Sequence, residues 1–328
     1  MHAFPHTLWY PILTSGELTS RPRRIQRLGL WLILWRDTLG QVHAHPDRCP
    51  HLGASFAGAS ICNGHLVCPF HGFEFDGSGR CQSVPALGEG KPIPSGLQLK
   101  VHPVREIHGL IWFWAGEATR AIALPEIPFF DALKPERAGS WVATDWRASL
   151  TRVVENQLDV AHLPFVHAAT IGRGRDPVVK GPRVEADPDG ICLWNVPAPE
   201  AGVSGMPLKR AMGHDADRPP DIHYLFPGIW KLHISPRIQL LGVFVPIDHG
   251  TTRFYVRTYH GFQWPGIRHL VNLVFAFGNR RILKEDQAVV ESVTPVSSMD
   301  ATEDHFTAAD RAIVLFRKRY RALLRSDG

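Results

Sequence analysis

The sequence predicts an α+β protein in two parts: an antiparallel β domain over residues 1–125, then a domain over residues 126–328 whose antiparallel sheet carries helices at its two ends. Three observations lead there. The first third of the chain is dense in Gly and Pro, with β-rich runs such as LGLWLILWRD, GHLVCPFHGFEFDG and GLIWFWAGE between turns. From about residue 184 to 260 the strand pattern returns, clearest in TRFYVRTYH, where Phe254 and Val256 alternate with Arg253 and Arg257. Residues 146–162, 266–293 and 307–324 repeat apolar positions at helical spacing.

Taken in order, Phe73 and Phe75 alternate with Glu74 and Asp76 and run into Gly77 and Gly79, a strand entering a turn. Residues 116–139, richer in Ala, Pro and charge, read as a connector and hold the domain boundary. Over 146–162 the residues Leu150, Val153, Val154, Leu158 and Ala161 share a face, with Asp145 the expected N-cap. The basic run RKRYRALLR near the C-terminus is expected on the solvated face of a helix.

Hydrophobic content of 44% and charged content of 20% over 328 residues are those of an ordinary globular protein, with enough apolar material for a sizeable core. The longest apolar runs, 28–35 and 270–278, fall far short of the roughly 20 residues a membrane-spanning helix needs. The N-terminal MHAFPHTLWYPIL has neither a basic stretch nor an apolar core before a small-residue cleavage site, so it is expected to be mature sequence without a secretion signal. Five cysteines, an odd count without an export signal, suit free or metal-bound thiols in a reducing cytoplasm better than a disulfide framework. The net charge of +5 and pI near 9.1 fit ordinary solubility charge or a basic docking face for an acidic redox partner. The scattered placement of Lys and Arg argues against nucleic acid as a partner.

Two constellations carry chemistry. In Cys49-Pro50-His51 and Cys68-Pro69-Phe70-His71, each pair is short enough to reach one metal centre, and Gly53 and Gly72 let backbone N–H groups approach bound sulfur. A tetrahedral zinc would usually draw on a Cys pair and a separate His pair. Here each pair mixes one Cys with one His, which suits a 2Fe–2S cluster with both thiolates on one iron and both imidazoles on the other.

The second constellation is ENQLDVAHLPFVH. Asp159 and His162 lie three apart on one helical face. His167 is five beyond His162, about 140° away on a straight helix, and a break near Pro164 could bring it back. Two histidines and a carboxylate make the facial triad of non-haem ferrous iron. Asp159 and the later KEDQAVVE, with Glu285, Asp286 and Glu291, offer the carboxylate; spacing alone does not choose.

CPHLG followed by CPFHGFEFD resembles the cluster motif of the Rieske non-haem iron oxygenases. Asn156-x-x-Asp159-x-x-His162-x-x-x-x-His167 is similar to their iron motif. The likeness runs along nearly the whole chain and is closest to the shorter, vanillate and dicamba O-demethylase-type terminal oxygenases. It implies an N-terminal Rieske domain and a catalytic domain of the helix-grip type. It also implies that His162, His167 and Asp286 bind one mononuclear Fe(II), that Asn156 lies near the iron, and that Asp159 is a bridging carboxylate. That carboxylate would bond His162 within its subunit and His71 of the neighbour in a head-to-tail homotrimer.

The implied activity uses dioxygen and two electrons to oxidise a small aromatic or cyclic substrate, by monooxygenation such as hydroxylation or O- or N-demethylation. The alternatives are ring cis-dihydroxylation, or a Rieske electron-transfer protein with an inert second domain. No Gly-rich dinucleotide fingerprint is present, and the glycines at 172 and 174 are too close together and wrongly placed for one, so a separate NAD(P)H-dependent reductase, with or without a ferredoxin, is the expected electron source. The pocket is expected within residues 178–288, with two of Trp194, Tyr224, Phe226, Trp230, Phe244, Trp264 and Phe275 lining it and the rest in the core.

Overall fold

Short runs of β-branched and aromatic residues, cut by Gly and Pro, fold the first part of the chain into small antiparallel sheets. The computed structural model describes residues 4–88, 90–116, 124–179, 182–195, 219–262, 264 and 266–326. Part of the expected connector, 117–123, and part of the expected pocket region, 180–181, 196–218, 263 and 265, lie outside the described residues. The chain divides into two compact units, Ala3–Glu126 and Ile127–Gly328.

In the first unit the strands are β1 (Trp9–Thr14), β2 (Arg23–Arg27), β3 (Leu30–Arg36), β4 (Val42–Pro46), β5 (Ser60–Cys62), β6 (His65–Val67), β7 (Glu74–Phe75), β8 (Cys81–Ser83), β9 (Val104–Ile107) and β10 (Leu110–Trp114). They form sheets of order β1-β10-β9, β2-β3-β4 and β5-β6-β7-β8. A core of Ile33, Trp35, Phe56, Leu66 and Phe75 takes in Cys49 and Cys68 as well. Burying rings and thiols together in this way makes the two cysteines part of the packed interior rather than of a mobile loop.

The second unit has strands β11 (Ala138–Trp146), β12 (Arg183–Ala186), β13 (Gly190–Trp194), β14 (Ile222–Leu225), β15 (Ile229–Ser235), β16 (Ile238–Pro246) and β17 (Thr252–His260). They make one seven-stranded antiparallel sheet of order β11-β17-β16-β15-β14-β13-β12. Helices α1 (Leu150–Leu158), α2 (Leu163–Val166), α3 (Ile267–Val290) and α4 (Arg311–Ser326) complete an α+β unit. α3 packs on β11 and β17, α4 on β12 and β13, and α1 on β16. Tyr224, Phe226, Trp230 and Phe244 are core residues; Tyr224 meets Phe316 of α4 edge to face at 5.6 Å. Each such fully buried ring contributes about 2 kcal/mol through the apolar area removed from water. Trp264, by contrast, is exposed.

The expected helix over 146–162 is corrected in two places. Its first residues belong to β11: Trp146 pairs with Thr252, and Asp145 meets Arg253, whose Nε donates to Asp145 Oδ1 at 2.6 Å. Residues 141–146 are rich in aromatic and β-branched residues, Trp141, Val142, Thr144 and Trp146, which favours a strand, so the N-cap falls to Ser149, whose hydroxyl accepts from the Arg152 N–H. The helix then ends at Leu158, before Pro164. Among the described residues no helix is long and apolar enough to cross a membrane.

Candidate metal centres

The first candidate centre is built from two loops of the same construction. The N–H of Cys49 donates to Ala54 O at 2.8 Å and the N–H of Gly53 to Cys49 O at 2.9 Å. The N–H of Cys68 donates to Phe73 O at 2.8 Å and the N–H of Gly72 to Cys68 O at 3.0 Å. Both loops turn through a glycine at positive φ, 76° at Gly53 and 71° at Gly72, a conformation that a side chain would strain. One loop presents His51 two residues after its cysteine, the other His71 three residues after.

The cysteines are buried and the histidines exposed. The His51 and His71 rings stand 4.7 Å apart, and Phe73 stacks on His51 at 4.6 Å. Burial, with the Cys68 thiol alongside, pushes the Cys49 thiol up to about 11. The Cys49 thiol so placed stays protonated unless a metal takes the proton's place. Cysteine beside cysteine and imidazole beside imidazole fits a two-iron cluster with a buried sulfur end and an exposed imidazole end. Of the remaining thiols, Cys62 is exposed on β5, and the half-buried Cys81 Sγ contacts Ser83 O at 3.4 Å.

The second candidate centre forms where α1 stops. Asp159 is the C-cap of α1 in an extended conformation, and its Oδ1 accepts the Ala161 N–H at 2.6 Å. The chain then makes the single turn α2, with His162 as its N-cap and His167 as its C-cap. Pro164 sits in the first turn, where a missing N–H breaks no hydrogen bond. Gly172 closes the following turn: its N–H donates to His167 O at 3.0 Å, and a Cβ there would lie 1.8 Å from Leu163 O. This close approach is what the glycine is for.

α3 supplies the carboxylate. Ligand atoms of His162, His167 and Asp286 all lie within 4.8 Å of one another, so the three residues that the resemblance implies converge. Asp286 Oδ1 is 3.1 Å from His167 Nε2 and 3.5 Å from His162 Nε2. Glu285, weighed as the nearest rival, turns instead to the other side of the His167 ring and lies 2.8 Å from Nδ1. Its Oε2 also accepts from Thr170 Oγ1 at 2.6 Å. Asp159 Oδ2 lies 3.3 Å from His162 Nδ1.

The donor set fits a divalent cation. When the His167 ring carries a single proton and Nδ1 donates it to the Glu285 carboxylate, Nε2 is left with a lone pair. That lone pair faces Asp286 Oδ1, which is buried and makes no hydrogen bond of its own. Two electron-rich atoms at that distance repel unless a cation or a proton lies between them. Burial opposes charge on His167, but Asp286 and Glu285 outweigh it and raise its pKa above the ordinary histidine value. Asn156 Nδ2 is likewise buried without a hydrogen-bond partner, as in a site arranged for something other than its own side chains. Sequence reasoning missed Glu285 as a partner of His167; its place beside Asp286 was visible, its direction was not.

A family model of the Rieske [2Fe-2S] domain matches residues 8–103, and one of the vanillate O-demethylase oxygenase C-terminal domain matches residues 146–326. Together they pair a Rieske [2Fe-2S] domain with a vanillate O-demethylase-type C-terminal domain in one chain. It belongs to the vanillate O-demethylase oxygenase family, the shorter group to which dicamba-type enzymes are similar.

The 4beta-methylsterol monooxygenase of Methylococcus capsulatus is 33% identical over 164 residues, 47% of this chain and 42% of that protein. The oxygenase component of dicamba O-demethylase from Stenotrophomonas maltophilia is 36% identical over 170 residues, 51% of this chain and 48% of that protein. The chain thus spans less than half the length of these two relatives. Methylxanthine N1-demethylase NdmA of Pseudomonas putida is 27% identical over 329 residues, 96% of this chain and 88% of that protein. The NdmA structure shares the fold, with a TM-score of 0.74 at 22% identity over 96% of this chain and 89% of its own.

Proposed function

We propose that this chain is the terminal oxygenase of a Rieske system, taking two electrons from a separate reductase to oxidise a small aromatic or cyclic molecule with dioxygen. Monooxygenation leading to O- or N-demethylation is the favoured outcome, in keeping with the printed activities of dicamba O-demethylase and NdmA. The observation that carries the proposal is the convergence of His162, His167 and Asp286 in the second unit. An electron carrier with an inert second domain has no use for that set.

Cys49, His51, Cys68 and His71 would hold the 2Fe–2S cluster and His162, His167 and Asp286 the iron, which together supply electrons and an open coordination site for dioxygen. The chain's own residues do the rest. Asp286 and His167 are buried, which keeps bulk water from the triad. Asp159, whose Oδ2 lies 3.3 Å from His162 Nδ1, would accept a proton from it. The exposed His51 and His71 offer the cluster's accessible end to a partner.

In this reading His71 meets Asp159 of a neighbouring chain in a homotrimer. The apolar outer residues of α3, Leu270, Leu273, Val274 and Phe277, are exposed area of the kind that association covers. The electron source is an NAD(P)H-dependent reductase, directly or through a ferredoxin. Five free thiols suit a cytoplasmic setting.

Product analysis tests the proposal. The reconstituted chain, supplied with reductase and NADH, is offered methoxyaromatics, N-methyl compounds and plain arenes. Formaldehyde release, with about three irons per chain, is the expected result. Dihydrodiol formation would replace demethylation by cis-dihydroxylation. Two irons and no oxidised product would leave an electron carrier.

A further inference from the structure

We propose that Glu285 is a positioning residue of the iron site, holding His167 in the tautomer that presents Nε2 to the metal. The inference rests on the assignment of His162, His167 and Asp286 as iron ligands. Consecutive residues on a helix point about 100° apart. Here that divergence lets α3 grip one imidazole from both sides, Asp286 at Nε2 and Glu285 at Nδ1. His167 is 2% exposed, so its ring nitrogens meet these two carboxylates rather than bulk water.

Glu285 is itself held. Thr170 Oγ1 donates to the same Oε2 that faces His167, and Arg281, one turn earlier on α3, lies 3.6 Å from Oε1. Thr170 belongs to the turn that follows α2, so α2, its turn and α3 are tied through a single carboxylate.

The reason such a tie matters lies in the alternative. Without an acceptor at Nδ1, the ring can carry its proton on Nε2 and donate it to Asp286 Oδ1, already 3.1 Å away. That hydrogen bond would join two metal ligands to each other and close the site. A carboxylate at Nδ1 makes that state unfavourable, because it would set the ring's lone pair against a negative charge.

The test compares Glu285→Ala, Glu285→Gln and Thr170→Val as full-length proteins with the cluster in place. Mononuclear Fe(II) is titrated against a chelator, and Co(II) serves as a spectroscopic probe of the same site. The visible spectrum of the cluster reports that the rest of the chain is intact.

Glu285→Ala is expected to weaken metal binding about 10- to 100-fold and to shift the Co(II) ligand-field bands. The Gln side chain keeps an oxygen that can accept from both His167 and Thr170, so Glu285→Gln should stay within about threefold of the parent. Thr170→Val, which only loosens the carboxylate, should fall between them, and it stands in if Glu285→Ala fails to fold. Parent-like affinity and bands in both Glu285→Ala and Thr170→Val would overturn the inference. So would a Gln variant as weak as Ala, since charge rather than tautomer would then be the cause. Loss of the underlying assignment looks different: His162→Ala would bind the metal as tightly as the parent.

Discussion

Asp159 serves two neighbours with its two oxygens. Oδ1 caps the Ala161 N–H, which fixes the break between α1 and α2, and Oδ2 faces His162 Nδ1. Asp159→Asn keeps an oxygen for Ala161 but places an NH2 group where the proton acceptor stood. Both metals should therefore remain bound while turnover falls at least ~100-fold, the scale of a lost proton-transfer partner. Iron content and steady-state oxygen uptake on the same preparation decide the matter; a fully active variant removes Asp159 from the electron and proton path. At this scale much was legible. Cys49, His51, Cys68 and His71 lie within 23 residues of one another, and His162 and His167 are five residues apart, so both motifs are local, and the resemblance to a known iron motif gave the second its meaning. Glu285 and Asp286 are adjacent, and their opposite directions are settled only by contact with His167, 118 residues away.

Elements were less legible where long-range pairs override local signals. Asp145 has the composition of a cap and lies instead on a strand, because Arg253 of β17 sits opposite. The basic run in α4 was expected to be solvated, yet Arg317 is 3% exposed. Its Nε donates to Glu155 Oε1 at 2.7 Å, a guanidinium nitrogen to Glu155 Oε2 at 3.0 Å, and another contact reaches Asp304. Arg152 of α1 joins the same two carboxylates at 3.2 and 2.9 Å, so two cations and two anions share one partly buried site. Sequence shows such charges singly; only packing shows them paired. Removing one partner from a buried network leaves the others desolvated, and Arg317→Ala should cost about 3 kcal/mol, at the lower end because Arg152 still pairs with Glu155. Denaturant midpoints measure this, and a loss below about 1 kcal/mol would mean that the network is only as strong as a surface pair. The consequence reaches the site, since Glu155 immediately precedes Asn156 and lies one turn before Asp159 on α1.

At the scale of the whole molecule, each compact unit holds all the residues of one proposed ligand set: Cys49, His51, Cys68 and His71 within Ala3–Glu126, and His162, His167 and Asp286 within Ile127–Gly328. Metal loading should then be separable. Cys49→Ser removes a thiolate from the buried end of the cluster and is expected to bleach the visible spectrum, leaving about one iron per chain, while Asp286→Ala leaves about two and an unchanged spectrum. The separation has an energetic counterpart, because a ligand that binds only the folded state stabilises it by mass action. Free Fe(II) at about 100 times its dissociation constant adds about 2.7 kcal/mol to the second unit, and a chelator takes that away. In Cys49→Ser, ferrous iron should still raise the unfolding temperature of the protein, and in Asp286→Ala it should not. If Cys49→Ser lost all its iron and with it the ferrous stabilisation, the two centres would depend on each other for assembly, and the division of the ligands between the two units would be structural without being functional.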